Sequence, residues 1–253
     1  MRQRLLTNMI LVGLLLLVAV PVAAEPRIDG FLQGLFGGRL HSDNPTIGEY
    51  TASETRLQLR AEHFADNAEF FGRLDYVYDA AADDVRSEWE LREGYLKFRL
   101  GSHFDFKVGR QILTWGTGDL IFINDVFAKD YRSFFVGRDD QYLKAPQNAL
   151  RVEYYSGLGD LSVVWTPRFE PNRLPTGEKL SYYSPLEGRI SGGGQPFKVD
   201  RPSAEFKNGE LATRLSRTIG SFRTSLYAYR GFYKNPVGMR TWTVSSGTKV
   251  LWP

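Results

Sequence analysis

The sequence has no cysteine and only three histidines, His41, His63 and His103, which lie far apart along the chain. Without cysteine, disulfide scaffolds, thiolate metal sites, a cysteine nucleophile and a lipid anchor on cysteine are excluded. The histidines form no HxxxH pair, so the sequence contains no recognisable zinc site. We therefore expect neither a metal nor another cofactor.

The chain also lacks an excess of charge of one sign. Among its 253 residues, 32 are Lys or Arg and 29 are Asp or Glu, which gives a net charge of +3. Removing Arg2 and Arg4, which lie in a segment that we expect to be cleaved, lowers the net charge to +1. This balance gives no reason to expect a nucleic-acid partner.

Long hydrophobic runs are missing after residue 24, where no apolar stretch approaches the about 18 residues of a transmembrane helix. The N-terminus differs, because residues 1–4 are basic, residues 10–20 are uncharged and apolar, and Val22-Ala23-Ala24 supplies small residues. This order predicts a secretory signal peptide over residues 1–24. An uncleaved anchor helix is the alternative, against which Pro21 and the small residues weigh.

What the chain has in abundance is aromatic residues (14%), glycine (25 residues) and period-two alternation of polar and apolar residues. In residues 56–62, for example, Leu57, Leu59 and Ala61 alternate with charged or polar residues, as expected of a β-strand with one apolar face. We expect phase slips, as β-bulges, at Glu93-Gly94-Tyr95 and at Gly109-Arg110. No amphipathic helix separates the runs, which excludes a βαβ fold. The alternating runs cover residues 28–38, 56–62, 68–79, 88–100, 103–113, 149–156, 160–166, 207–219 and 222–233, with a tenth segment at 242–251.

Short and long connections alternate along the chain. The short turns are at residues 65–67, 101–102, 157–160 and 220–221, and the long links are at residues 39–50, 80–87, 114–148 and 167–205. Outer-membrane barrels have tight turns on the periplasmic side and longer loops outside. The sequence therefore predicts an all-β fold, a transmembrane antiparallel up-and-down β-barrel of about ten strands over residues 25–253, in the outer membrane of a Gram-negative bacterium and in contact with its lipid.

An exported soluble barrel or sandwich also alternates apolar and polar residues. The length of several runs, which matches the about 9–11 residues of a tilted membrane strand, and aromatic residues near strand ends favour the membrane barrel. The last six residues end in proline and lack the terminal alternation of a closing strand, so a truncated larger barrel is an alternative. The aromatic residues near strand ends are Phe64, Tyr76, Tyr78, Trp89, Trp115, Tyr154, Tyr155, Trp165, Phe232 and Tyr233.

If the apolar face meets lipid, the polar face lines the lumen. More cations than acids lie on this face, and rings of Arg or Lys favour anions. A network of mutually neutralising charges that merely fills the barrel is the alternative. The candidate pore-lining cations are Arg56, Arg60, Arg73, Lys97, Arg99, Lys107, Arg151, Arg214 and Arg223.

The 114–148 link carries too many apolar residues for a fully solvated loop. We expect it to fold into the lumen and narrow it, with its charged residues at the constriction; packing at the barrel rim or against a partner is the alternative. Asp125 is expected to cap a short helix over about residues 126–135. The 167–205 link is expected to be a plain external loop. The candidate constriction residues are Asp125, Lys129, Asp130, Arg132 and Arg138.

One stretch resembles a known family. Arg92-Glu93-Gly94-Tyr95-Leu96 leads through a Gly-Ser turn into Val108-Gly109-Arg110-Gln111, then Trp115-Gly116 and Ile123-Asn124-Asp125. This passage, over about residues 88–150, resembles Gram-negative outer-membrane porin-like barrels of the alginate-export type. The resemblance implies a β-barrel channel with a long inward loop, and it adds Arg110 to the candidate pore-lining residues and supports Asp125 as a lumen residue.

The expected function is passage of a small or polymeric solute, with anions favoured, through a charged lumen. A barrel enzyme of the lipase or protease type is one alternative, but it needs a Ser-His or Asp-His pair at the outer rim. Only His41 falls in a long link, so we expect no enzyme and no catalytic residue. A structural or adhesin barrel without transport is the other alternative.

Overall fold

The computed structural model describes residues 25–41, 48–81, 86–116, 123–175, 177, 179–185, 188–192, 198–242 and 247–251. The predicted signal peptide at 1–24 lies outside them. The protein is all-β, and its longer strands are β1 (Arg27–Gly38), β2 (Tyr50–Ala65), β3 (Ala68–Asp79), β4 (Arg86–Leu100), β5 (Phe104–Ile112), β6 (Pro146–Ser156) and β7 (Gly159–Thr166). Then come β8 (Tyr182–Ser184), β9 (Arg189–Ser191), β10 (Lys198–Asp200), β11 (Glu210–Ile219), β12 (Phe222–Arg230), β13 (Gly238–Trp242) and β14 (Gly247–Leu251).

Nine strands form one antiparallel sheet in the order β1-β2-β3-β4-β5-β6-β7-β11-β12. They correspond to the nine alternating runs of the sequence, with ends that differ by a few residues. Strand β2 is the longest at 16 residues, well beyond the about 5–6 of an average strand. Within the described parts of the chain, β1 and β12 are the edges of this sheet, and we find no closed barrel there.

The predicted segregation of turns is confirmed. Tight turns at residues 66–67, 101–103, 157–158 and 220–221 join β2 to β3, β4 to β5, β6 to β7 and β11 to β12. Because the strands are antiparallel, all four turns lie at one end of the sheet, and every long link lies at the other end. We call these the turn end and the loop end.

Two predictions for the long C-terminal part were wrong in detail. The expected tenth strand at 242–251 is instead divided between β13 and β14, which pair antiparallel, with β10 beside β14, in a separate three-stranded sheet. The 167–205 link is not a plain loop, because it contains the β8–β9 hairpin and β10, and a 3₁₀ turn at Phe206–Asn208 follows it. Short strands of three residues leave too little alternation to detect in sequence.

Residues 123–145, which we call the covering segment, connect β5 to β6 and contain a short helix, α1 (Tyr131–Phe135), and a 3₁₀ turn (Asp140–Tyr142). The expectation that Asp125 caps a helix over 126–135 was wrong. Asp130 is the cap, and its carboxylate accepts a hydrogen bond from the Ser133 amide at 3.0 Å. The Asp125 carboxylate instead accepts from Thr114 and Lys129 through one oxygen and from the Phe127 amide, at 3.4 Å, through the other.

Burial in the sheet is inverted with respect to an ordinary soluble protein. On β2, Glu54, Arg56 and Gln58 are buried, while Leu57 and Leu59, which alternate with them, are exposed. The same holds at the sheet edges, where Leu32 of β1 and Leu226 of β12 are 73% and 69% exposed. The polar face of the sheet is therefore the inner one, and its apolar face points outward.

A small apolar cluster nevertheless lies on the inner side. It consists of Leu113, Trp115 and Phe127 packed on Ala149, Val164 and Ala212. The Trp115 and Phe127 rings meet edge-on with centroids 4.9 Å apart. Trp115 is therefore buried against the covering segment, and its expected place in an outward aromatic belt was wrong. Of the other nine aromatic residues near strand ends, seven are exposed and Tyr76 and Phe232 are half-buried.

The two expected bulges have different outcomes. The β3–β4 pairing shifts between Arg73, opposite Glu93, and Leu74, opposite Leu91, so that Arg92 is the extra residue, directly before the predicted position. At Gly109 the register is continuous and no bulge forms. Gly109 has φ of +127°, and a Cβ there would lie 2.3 Å from the Gly94 carbonyl oxygen.

In the described part of the chain, no helix is both long and apolar enough to cross a membrane.

We expect Gly109→Ala to destabilise the sheet, because alanine strains a backbone with positive φ by roughly 1–3 kcal/mol and its methyl group collides with the Gly94 carbonyl. Gly72→Ala is the matched control, since a Cβ at Gly72 meets no atom within 4 Å. The free energy of unfolding in urea measures both. Equal effects of the two variants would contradict the close approach at Gly109.

Candidate functional site

The covering segment lies across the polar face of the sheet. The Tyr142 ring sits under two guanidinium groups, with Cζ of Arg56 at 4.1 Å and Cζ of Arg92 at 5.1 Å from its centroid. Its hydroxyl accepts a hydrogen bond from Gln58 Nε2 at 3.2 Å, and Gln141 Oε1 accepts one from Arg73 Nη1 at 3.2 Å. Tyr142 is therefore the aromatic anchor of the segment on β2 and β4, and Gln141 beside it contacts β3.

The bulge in β4 serves this contact. It places Arg92 and Glu93, which are adjacent in sequence, on the same face of the sheet. Arg92 Nη2 donates to the carbonyl oxygens of Gln141 (3.1 Å) and Lys144 (3.2 Å), and Glu93 pairs with Arg73 at 3.0 Å. The bulge thus gives a buried cation the position from which it holds the backbone of the covering segment.

A buried carboxylate forms the second attachment. Glu54 of β2 accepts hydrogen bonds from both Arg138 Nε, at 2.9 Å, and Arg138 Nη2, and Lys179 lies 3.8 Å away. Burial disfavours the Arg138 cation, but hydrogen bonding and charge from Glu54 outweigh it, so the pKa of Arg138 lies above its ordinary value. Such bidentate pairs fix geometry as well as charge.

The start of the segment is fixed by two further ion pairs. Lys129 Nζ donates to Asp125 at 2.7 Å, and the same carboxylate accepts from Thr114. Burial lowers the pKa of Lys129, although Asp125 counteracts part of this effect. Arg173, from the link after β7, lies between Asp130 at 3.2 Å and Glu90 at 2.7 Å.

A cavity of about 610 Å³ lies at the loop end, between the sheet, the covering segment and the link after β7. Eight of its lining residues are Arg or Lys and three are Asp or Glu. The lining also includes apolar side chains, as is usual for small-molecule sites of this size. The charged lining residues are Arg56, Asp79, Arg86, Glu88, Glu90, Arg110, Arg132, Arg138, Arg173, Lys179 and Arg201.

The cavity forms where β4 and β5 separate. Strand β4 pairs with β5 only from Gly94 onward, whereas toward its start it pairs with β3 alone. Arg110, the last residue of β5 paired with β4, donates from Nε to the Leu91 carbonyl oxygen at 2.6 Å. Its guanidinium therefore occupies the opening between the two strands, at the wall of the cavity.

The structure brings together four of the residues predicted from sequence. Arg56, Arg110, Arg132 and Arg138 line the cavity, whereas Asp125, Lys129 and Asp130 support it from within the covering segment. The assignment of these residues to the lining of a lumen stays a prediction.

The other predicted cations lie farther along the polar face, and most are paired. Arg60 binds Asp29, Lys97 lies 3.6 Å from Glu69, Arg99 binds Asp105 and Arg151 binds Glu153. Lys107 Nζ lies 3.6 Å from the centroid of the Tyr95 ring, and Arg214 lies over the Trp115 ring. Arg73 contacts Glu93 and Gln141. Arg223 is exposed on β12. This pattern agrees with the alternative of mutual neutralisation for the half of the sheet near the turns.

Several residues of the site were not singled out by the sequence reasoning. They are Glu54, Arg92, Tyr142, Arg173 and Lys179. The period-two pattern of β2 extends to Glu54, and the phase slip at Glu93 was a usable signal for Arg92. Arg173 and Lys179 come from the link after β7. The sequence of this link has no periodic pattern from which the direction of a side chain can be predicted.

The chemistry available here is charge recognition. Across the described residues we find no group of three His, Asp or Glu that could hold a metal ion. His63 lies in strand β2 with its ring near Phe70, and the His103 ring contacts the Tyr155 carbonyl oxygen at the turn end. Neither histidine lines the cavity, whose charged groups are guanidinium, ammonium and carboxylate.

We expect Glu54→Gln to loosen the covering segment, because it removes the charge partner of Arg138 and leaves buried cations uncompensated. Breaking a buried ion pair costs about 3–5 kcal/mol. Faster amide hydrogen exchange in residues 127–145 and a lower free energy of unfolding are the readouts.

The matched control is Glu205→Gln, which removes the carboxylate from an exposed pair with Lys207. Exposed ion pairs contribute little to stability, so exchange in the covering segment should be unchanged. The interpretation of Glu54 is wrong if both variants behave alike.

Comparison with protein-family models gives no match, and comparison with curated proteins gives none either. The resemblance to porin-like barrels of the alginate-export type therefore stays a prediction from the motif over residues 88–150.

Proposed function

We propose that this chain forms the wall of an outer-membrane β-barrel channel, with the polar face toward a lumen that favours anions. The observation that carries the proposal is the inverted burial of the sheet. Glu54, Arg56, Gln58 and Asp75 are buried while the leucines between them and around them point outward. A sheet in water does the opposite, whereas a barrel in lipid requires this arrangement.

The extent of the outward apolar surface supports lipid as its partner. Outward-facing residues such as Ile28, Leu59, Leu215 and Leu226 are exposed on strands from one edge of the sheet to the other. Monomeric soluble proteins rarely expose contiguous apolar patches larger than a few hundred Å². Hydrocarbon contact gives every one of these side chains a favourable environment.

The proposal carries a geometric requirement. Eight successive antiparallel pairings make β1 and β12 run in the same direction. Lipid does not tolerate an open sheet edge, and pairing β1 directly with β12 would be parallel. An all-antiparallel barrel that contains this sheet therefore needs an odd number of further strands between these two edges.

The covering segment supports a channel with a constriction. It is attached to the polar face through Tyr142, Arg92 and Glu54, so in a closed barrel it would occupy lumen space. The cavity beside it is lined by more cations than acids. Rings of Arg or Lys at a narrow point favour anions.

Leu59→Arg separates a lipid-facing sheet from a water-facing one. In a bilayer, an arginine on the lipid face near the midplane costs about 2–4 kcal/mol, whereas on a surface in water it changes stability by less than about 0.5 kcal/mol. We expect the larger loss, measured as the free energy of unfolding from lipid vesicles.

Leu40→Arg is the matched control, since Leu40 is a fully exposed leucine beyond the end of β1. It should leave the free energy of unfolding unchanged. A negligible effect of Leu59→Arg in vesicles would refute the membrane location.

Channel activity is tested in planar bilayers with purified protein that shows heat-modifiable mobility on gels. We expect discrete conductance steps and, in a salt gradient, a reversal potential that indicates anion preference. Replacing residues 131–142 by a Gly-Ser linker should raise the single-channel conductance, because it removes the covering segment from the polar face.

Tyr142→Ala is a milder second variant that removes only the anchor ring and should raise the conductance to a smaller extent. Unchanged conductance in both variants would contradict a constriction at the covering segment. No conductance at all from well-folded protein would favour a structural barrel without transport.

A further inference from the structure

We propose that the cavity binds a small oxyanion, a carboxylate or a phosphate group, between Arg110 on β5 and Arg132 on α1. Four of the other cations that line the cavity, Arg56, Arg138, Arg173 and Lys179, are bonded to carboxylates of the fold. The inference deepens the proposed function and rests on it, because the cavity is taken as the point that a solute passes.

Four of the cations that line the cavity are already neutralised. Arg138 is bonded to Glu54, and Lys179 to Asp79. Arg173 contacts Glu90 and Asp130 at 2.7 and 3.2 Å, and Arg56 is bonded to Asp75. A cation that shares its hydrogen-bond donors with a buried carboxylate offers little net charge to a ligand, so these four serve the fold.

Arg110 and Arg132 differ in the distance to their nearest carboxylates. Arg110 Nη1 lies 3.9 Å from Glu170, and Arg132 Nε lies 4.0 Å from Asp130, both beyond hydrogen-bond distance. Arg110 uses only its Nε, on the Leu91 carbonyl oxygen, and the Arg132 side chain is 52% exposed. Both guanidinium groups therefore retain N–H donors for an incoming acceptor.

The chemistry of the ligand follows from these donors. A guanidinium presents parallel N–H groups that match two oxygens of a carboxylate or phosphate. The cavity volume of about 610 Å³ falls within the range of small-molecule sites, about 300–1,000 Å³. A compact anion with one or two such groups therefore fits the cavity in both size and charge.

The fixed geometry of the cavity adds selectivity. Arg110 is held by the Leu91 carbonyl oxygen, and α1, which carries Arg132, is capped by the carboxylate of Asp130, which also binds Arg173. Donors that are held in place lose less conformational freedom on binding. Arg110 is therefore a preformed donor, whereas Arg132 extends from a capped helix with a half-exposed side chain.

The test is calorimetric titration of the full chain, folded in detergent, with succinate and separately with inorganic phosphate. Arg110→Gln and Arg132→Gln should each weaken binding by about fivefold, the effect of one charge at contact distance in water, and the double variant should weaken it by about 25-fold, because independent losses of free energy add. Arg132→Lys should restore part of the affinity. Arg217→Gln, which removes an exposed cation of β11 outside the cavity, is the matched control.

Binding of succinate alone identifies the ligand group as a carboxylate, and binding of phosphate alone identifies it as a phosphate. Either result supports the site if the Arg110 and Arg132 variants bind the anion more weakly. Absence of binding to the unaltered chain, or equal losses in Arg217→Gln, would overturn the inference. Because titration needs no transport, a folded protein that binds the anion but conducts no current would refute the channel and leave the site standing.

Discussion

The structure depends on the pairing of charges that are buried on the polar face of the sheet. Asp75 is fully buried and binds Arg56 and Gln58. Glu54, which is also buried on this face, binds Arg138. An isolated charge in such a place would cost several kcal/mol, so each carboxylate requires its cation and each cation its acceptor. The covering segment completes this arrangement, because Tyr142 and the carbonyl groups of Gln141 and Lys144 supply the remaining contacts.

The same constraint separates structural charge from charge that is available to a ligand. Where cross-strand partners lie opposite one another, as Arg99 and Asp105 do, the charges neutralise each other and fill space. At the loop end the sheet opens between β4 and β5, and cations arrive from links as well as strands. Pairing is then incomplete, and the surplus of positive charge collects in one cavity. The proposed anion site lies there because the network of ion pairs is incomplete at the loop end.

Much of the sheet could be predicted, because alternation with period two determines which residues share a face. The nine runs and the division into polar and apolar faces follow from the alternation of residues such as Leu57 and Leu59 with polar neighbours. The four tight turns follow from the turn residues between the runs. Only part of the candidate site could be predicted from the sequence. Arg110 and Arg138 were identified, but Arg173 and Lys179 come from a link without periodicity, and Asp125 was assigned a cap that Asp130 forms.

By itself, the sequence determined the strands, their faces and the side of the sheet on which the long links lie, since these are local properties of alternation and turn residues. Only the tertiary structure decided which charges neutralise one another. The bulge at Arg92 places two adjacent side chains on the same face of the sheet, which composition alone does not reveal. The covering segment, which lies beside the opening between β4 and β5, is held by contacts between residues far apart in sequence, such as Glu54 with Arg138. Local sequence patterns do not determine such long-range contacts. These contacts turn a charged face into a cavity.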